Sequence, residues 1–153
     1  MTPMALIPTA LTPGEWTRDE FRITTDPTQI DLDVVCALLA ESYWAADRPM
    51  ETIRRSLEGS IPFGLFHGAH QVGLARVVTD CATFAWLCDV VIAAEYRGCG
   101  LGKWLIAVVM AHPELATIRL WMLCTRDAHG LYEQSGFRLL GKPEYWMSRL
   151  REE

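Results

Sequence analysis

The chain has 153 residues, half of them hydrophobic, with 14 Lys and Arg against 19 Asp and Glu for a formal net charge of −5. That length accommodates one domain with a substantial core and is short for two, and the apolar fraction excludes a disordered chain. The acidic balance, with no basic stripe, argues against duplex nucleic acid as a partner, and no apolar run approaches the roughly 18–20 residues that a membrane helix needs.

Residues 1–19 read as an extended, flexible arm punctuated by Pro3, Pro8 and Pro13; lacking a basic start, the arm does not read as a secretory leader. Residues 20–153 read as a single domain. Phe21–Thr25 is a short strand candidate, and Asp26-Pro27 can start a helix with Pro27 at its first position. Ile30, Val34, Val35, Leu38 and Leu39 would form its inward face. Pro49 suits the first position of a second helix, with Met50, Ile53 and Leu57 inward and Gly59 as its stop. Pro62–Phe66 and Gln71–Thr79 read as strands joined across His67-Gly68-Ala69-His70, and Thr83–Ile92 as a buried strand. Leu101, Trp104, Leu105, Val108 and Val109 share one helix face, and Ile118–Thr125 is again strongly β. Ala128, Leu131 and Tyr132 share a face of a short helix that Asp127 can cap and Gly136 can close; Phe137–Leu140 and Glu144–Ser148 read as two closing strands. The expected order is β-α-α-β-β-β-α-β-α-β-β. Five cysteines with no C-x-x-C spacing read as small apolar residues of a reducing compartment, the cytoplasm.

The stretch Leu87–Met110 organises the rest: an apolar strand, a glycine-dense link at Gly98, Gly100 and Gly102, then an amphipathic helix. Such a unit presents unpaired backbone N–H groups at the positive end of a helix dipole, which suits a phosphate or pyrophosphate. The glycine spacing does not match the dinucleotide fingerprint, and Trp104 stands where a Walker loop needs a hydroxyl. What remains is Arg-x-x-Gly-x-Gly at Arg97, Gly100 and Gly102, directly after a strand. Glycines placed for tight packing alone, or an unrelated nucleotide-binding loop, are the other readings.

The segment VVIAAEYRGCGLGKWL resembles the acetyl-CoA-binding motif of the GNAT N-acetyltransferases, with Ala94 where a proline is common. Thr125–Phe137 is similar to a second family segment, matching at Ala128, Leu131, Tyr132, Gly136 and Phe137; the family's Asn is Thr125 here. The element order suits that family over about residues 20–150. The resemblance implies an α/β (α+β) fold with a mixed central sheet of about seven strands and helices on both faces. It further implies an acetyl-CoA-dependent transfer of an acetyl group to a primary amine of a small molecule, amino acid or peptide, by direct attack in a ternary complex. A catalytically degenerate acetyl-CoA-binding sensor or partner module is the alternative. A monomer or homodimer is expected, with no nucleic acid, membrane or metal.

The resemblance also implies site roles. The backbone of Gly98, Cys99, Gly100, Leu101, Gly102 and Lys103 would take the pyrophosphate, with Arg97 and Lys103 adding charge. Backbone around Val91 and Ile92 would meet the thioester carbonyl and the pantetheine arm, and Thr125 would stand near the cofactor. Tyr132 would protonate the departing thiolate; its other reading is a core aromatic. Asp89, an acid within an apolar strand, costs free energy unless paired or used. It would serve as the base, directly or through water, or hold the ammonium, or else satisfy backbone N–H groups at a strand bulge. His129 is a second candidate base. His67 and His70 alone make a poor metal site. Cys99, near a helix N-terminus, makes a covalent route conceivable, though it lies far from the acyl carbon. Tyr43, Trp44 and Arg48 would form the acceptor wall, with Phe63, Phe84 and Trp86 beside it and Arg48 suited to an acceptor carboxylate.

Overall fold

A computed structural model describes residues 12–152. Residues 1–11 of the expected N-terminal arm lie outside the described residues; the remainder of that arm is ordered differently from the sequence expectation. Strands β1 (Glu15–Arg18) and β2 (Phe21–Thr24) form a hairpin whose turn places Asp19 at φ 54°, a conformation an Asp tolerates better than most side chains.

The helix expected from Pro27 begins later. Pro27–Gln29 makes one 3₁₀ turn, and helix α1 runs Leu32–Ala40. Asp31 sets that boundary: its backbone is extended and its carboxylate accepts the N–H groups of Asp33 and Val34, capping the helix. Helix α2 (Met50–Glu58) starts after Pro49 and stops at Gly59, and of its expected inward face only Ile53 is fully buried. Strands β3 (Ile61–His67) and β4 (His70–Thr79) turn at Gly68-Ala69, with Gly68 at φ 60°. Strand β5 (Phe84–Ile92), helix α3 (Leu101–Met110), strand β6 (Leu120–Met122) and helix α4 (His129–Glu133) follow.

The six strands form one mixed sheet in the order β1-β2-β3-β4-β5-β6, antiparallel except for the β5–β6 pair. Helices cover both faces. Leu105, Val108 and Val109 of α3 pack with Phe63, Val77, Ala85 and Leu87, while Val35 and Leu39 of α1 and Ile53 of α2 pack with Leu74 and Val91. Each of these side chains larger than Ala85 contributes about 1.5–3 kcal/mol by leaving water.

One irregularity positions the chemistry. Leu74 pairs with Val91 and Arg76 with Cys88, so Asp89 and Val90 together oppose Ala75. This bulge puts Asp89 at φ 52° and shifts the alternation of β5 by one residue. Ala85 and Leu87 face α3, but Val91, which strict alternation would place with them, packs under α1 and α2.

The two closing strands expected over 137–140 and 144–148 do not form. Gly136 does end the preceding helix at φ 92°, but the chain beyond it is irregular apart from a 3₁₀ turn at Pro143–Tyr145. Aromatic and branched residues favour strands only where a neighbour takes their backbone groups and covers one face. No described residue does that here, and Leu139, Tyr145, Met147 and Leu150 are exposed. With β1 gained and these two lost, the sheet has six strands rather than about seven.

Candidate active site

The link between β5 and α3 is built by two left-handed glycines. Gly98 and Gly100 both sit at φ 82°, where an L side chain is strained, and Gly100 is the N-cap of α3. A Cβ added at either would meet nothing within 4 Å, so backbone conformation and not crowding requires glycine, and the space over the loop is open. No side chain caps α3. The first-turn N–H groups at Leu101, Gly102 and Lys103 therefore face that space, an arrangement that fits an anion such as a pyrophosphate. Leu101 is core and can contribute backbone only, whereas Lys103 is exposed. Arg97 turns back: its Nε donates to the Ile92 carbonyl at 2.8 Å, which ties the loop to the end of β5. The Cys99 thiol donates to the Tyr96 carbonyl at 3.0 Å.

Strands β5 and β6 pair only through Phe84–Trp86 and Leu120–Met122, then part. On that side the edge of β5 from Leu87 to Ile92, including Val91 and Ile92, has no neighbouring strand among the described residues. The glycine loop stands at one end of this opening. A cleft of about 730 Å³ stands beside it, lined by the connection from α1 to α2, the middle of β5 and the segment leading into α4.

Asp89 is the hub of the cleft. Its side chain is only 2 % exposed and accepts three hydrogen bonds: from Trp44 Nε1 at 2.9 Å, Arg48 Nη1 at 2.8 Å and Arg76 Nε at 2.9 Å. Burial pushes its carboxyl pKa up, but the Arg76 charge and the three donors outweigh burial and hold it below the ordinary value. The bulge expected of an acid in this strand is present, but the partners are side chains from distant elements, not local backbone. Arg48 is thereby committed to Asp89. No motif marks Arg76 in the sequence; a lone Arg inside the apolar strand GLARVV is the signal that distinguishes it. The neighbouring Cys88 thiol is pushed by burial up to about 11, which leaves it unreactive.

Tyr43 spans the cleft. Its hydroxyl accepts the Arg126 backbone N–H at 2.9 Å, the Arg126 guanidinium lies 3.8 Å from its ring centroid, and its ring meets Trp44 edge-on at 5.1 Å. The α1–α2 connection is thus fastened to the segment between β6 and α4. Arg126 is exposed and carries no motif, so nothing in the sequence marks it. Thr125, at the position of the expected Asn, uses its hydroxyl oxygen to accept the Ala128 N–H at 3.1 Å, which shapes the entry to α4 in place of an Asp127 cap.

Tyr132 lines the same cleft, with Phe137 edge-on at 6.0 Å. Burial, helped by Tyr43, pushes its phenol up to about 12, so the hydroxyl keeps its proton throughout the neutral range. Phe84 and Trp86 also line the cleft, whereas Phe63 is core. His129 is exposed one turn away. His67 is held by Tyr96 through Nδ1 and by Glu20 through Nε2, each at 3.0 Å, and no group of three metal-ligating side chains occurs among the described residues. No described helix is long and apolar enough to cross a membrane.

Residues 61–139 match the family model described as acetyltransferase (GNAT) domain. A candidate acetyltransferase of Gibberella zeae is 31 % identical, over 87 % of this chain and 85 % of that protein. Among solved structures, a candidate GNAT-family acetyltransferase from Xanthomonas campestris pv. campestris is 39 % identical with a TM-score of 0.82, covering 86 % of this chain and 93 % of that one. Glucosamine-6-phosphate N-acetyltransferase from Arabidopsis thaliana shares the fold with a TM-score of 0.62 at 17 % identity, over 86 % of this chain and 99 % of that one.

Proposed function

This chain belongs to the GNAT acetyltransferase family, and we propose that it transfers an acetyl group from acetyl-CoA to a primary amine by direct attack in a ternary complex. The observation that carries this reading is the junction of an uncapped glycine loop with the open edge of β5. The loop's N–H groups from Gly98 to Lys103 would hold the pyrophosphate, with Lys103 adding charge. Backbone at Val91 and Ile92 would hold the pantetheine arm and polarise the carbonyl. Acetyl-CoA supplies the activated thioester. Tyr132, protonated throughout the neutral range, would give its phenolic proton to the departing sulfur, and the proton that the amine nitrogen loses on forming the amide would restore the phenol.

Asp89 takes a different role from the base suggested by its position in the strand. A carboxylate shared by two guanidiniums and an indole is a poor proton acceptor, so we assign it to positioning: it orients Trp44 and Arg48 in the acceptor wall beside Tyr43. Three guanidiniums (Arg48, Arg76, Arg126) and two carboxylates (Asp89, Asp127) border the cleft, leaving one positive charge in excess. That excess disfavours an ammonium and so promotes the neutral, attacking amine. It also favours an acceptor that carries an anionic group. Trp44, Phe84 and Trp86 offer that acceptor apolar contact. The cysteines are all free, which suits the cytoplasm.

Thermal unfolding tests the cofactor. At about one hundred times its Kd, acetyl-CoA should stabilise the native state by ~2.7 kcal/mol. At roughly 2–4 °C per kcal/mol for a chain of this size, Tm should rise by about 5–11 °C. CoA should act similarly and NAD should not; equal stabilisation by NAD would refute the assignment. Release of free thiol in the presence of matched amines, with and without a carboxylate, tests the acceptor. Cofactor binding without turnover of any amine would favour the sensor reading.

A further inference from the structure

The glycine loop has little of its own to hold it in place. Arg97, Gly98, Cys99 and Gly100 are all exposed, and a Cβ at either glycine would meet no neighbour. Its side-chain bonds are local, from Arg97 to the Ile92 carbonyl and from the Cys99 thiol to the Tyr96 carbonyl. The position of the loop is therefore set by its two flanks, Tyr96 before it and the first turn of α3 after it.

Both flanks are gripped from one distant element, the turn of the β1–β2 hairpin. Before the loop, the Tyr96 hydroxyl lies 3.0 Å from His67 Nδ1, and His67 Nε2 lies 3.0 Å from a Glu20 carboxylate oxygen. A carboxylate only accepts, so Nε2–H donates to Glu20, and the other nitrogen of the neutral ring accepts the Tyr96 O–H. Each bond polarises the next. Phe21 stacks on the imidazole at 4.8 Å and meets the Tyr96 ring edge-on at 6.1 Å. The Gly68 N–H donates to the Glu20 carbonyl at 3.3 Å, which joins the two hairpin turns. After the loop, the Arg18 guanidinium lies 4.8 Å from the ring centroid of Trp104, whose N–H donates to the Gly100 carbonyl in the first turn of α3. Arg18, Glu20 and Phe21 lie outside the stretch 61–139 that the family model matches.

We infer that the β1–β2 turn braces the cofactor loop, with His67 and Arg18 as positioning residues on its two flanks. The inference rests on the reading of residues 98–103 as the pyrophosphate site. The His67 and Glu20 side chains are 34 % and 82 % exposed, so their pairing adds little to global stability. What it restricts is the loop. A loop ordered before acetyl-CoA arrives loses less entropy on binding, and apparent affinity scales with the fraction of chains whose loop is already competent. None of the bracing side chains lines the cleft that holds Asp89 and Tyr132, so the brace sets donor affinity and leaves the chemical step alone.

The test uses the full chain. His67→Phe keeps a ring stacked on Phe21 and removes both hydrogen bonds, Tyr96→Phe removes only the hydroxyl, and Arg18→Met removes only the charge over Trp104. Calorimetry should find the Kd for acetyl-CoA raised about two- to tenfold in each, the worth of one hydrogen bond or cation–π contact. The double variant His67→Phe/Tyr96→Phe should bind no more weakly than His67→Phe alone, because both changes act through one bond. At saturating acetyl-CoA, kcat and acceptor KM should stay within about twofold of the parent, and the unliganded Tm within about 4 °C. A parental Kd in His67→Phe or in Arg18→Met would overturn the inference, as would a double variant whose loss is the product of the two single losses. Losses of kcat or unliganded Tm beyond those bounds would overturn it too, since the contacts would then support the whole fold. A parent that does not bind acetyl-CoA, or a Gly100→Asp variant that binds it as the parent does, would remove the reading of the loop and the brace with it. With both of those controls passed, a parental Kd in His67→Phe sinks the brace alone.

Discussion

Replacing Asp89 by Asn separates the hub from the chemistry. Asn is among the side chains that best tolerate φ 52°, so the bulge keeps its backbone and the side chain its shape. What is lost is the charge shared by Arg48 and Arg76. Removing one partner of a buried ion pair costs about 3–5 kcal/mol. Both guanidiniums border the cleft and retain some contact with water, which puts the loss at the lower end, about 3 kcal/mol, or a Tm lower by roughly 6–12 °C. The pH dependence follows from the sign of the shift. Asp89 has a folded pKa below its unfolded value, so its contribution is fully present above about pH 4 and is lost as pH falls through the depressed folded value. Parent and variant should therefore differ most near neutrality and converge in acid. Kinetically, loosening Trp44 and Arg48 should raise the acceptor KM, with kcat within about tenfold of the parent. A general base would show the reverse, about 10²–10⁴-fold in kcat with stability intact. Thermal unfolding across pH and initial rates at varied acceptor measure both. Parental stability at pH 7 together with a collapsed kcat would refute the positioning role.

Tyr132→Phe keeps the edge-on contact with Phe137 and removes only the hydroxyl; kcat should fall by about 10²–10⁴-fold with acetyl-CoA affinity nearly unchanged. The loss should shrink with an acyl donor whose thiol is more acidic, and a parental rate with both donors would remove Tyr132 from the mechanism. Because this phenol titrates near 12, the parent's rate should not decline between pH 7 and 9 on its account, which a pH–rate profile checks. Gly100→Asp meets no steric obstacle, so the fold should survive with a loss of about 1–2 kcal/mol for the left-handed backbone. Its carboxylate would occupy the anion site and abolish stabilisation by acetyl-CoA; calorimetry showing parental affinity would place the cofactor elsewhere. Arg126→Ala removes the guanidinium from the Tyr43 ring but leaves the backbone N–H that Tyr43 accepts. Acceptor KM should therefore rise several-fold with Tm within about 2 °C, since exposed side chains of this kind contribute within about 0.5 kcal/mol.

Much of this protein is legible in the local chemistry of its sequence. Glycines at 98 and 100 are needed wherever a strand must turn sharply into a helix through positive φ, and that requirement is written in a few consecutive residues. The α3 face at Leu101, Leu105, Val108 and Val109, the stop at Gly59 and the turn at Gly68 are likewise short-range facts. Tertiary structure decided what depends on residues far apart. Asp89 could be marked as an acid in a buried strand, but its partners lie 45, 41 and 13 positions away. A one-residue bulge reverses the face on which simple alternation would place the end of β5. Arg126 acquires a place in the cleft only because Tyr43, 83 residues earlier, folds across to it. The failure at 137–148 has the same origin. Strand propensity resides in the side chains, but a strand exists only where a neighbour takes its hydrogen bonds, and no sequence window contains that neighbour.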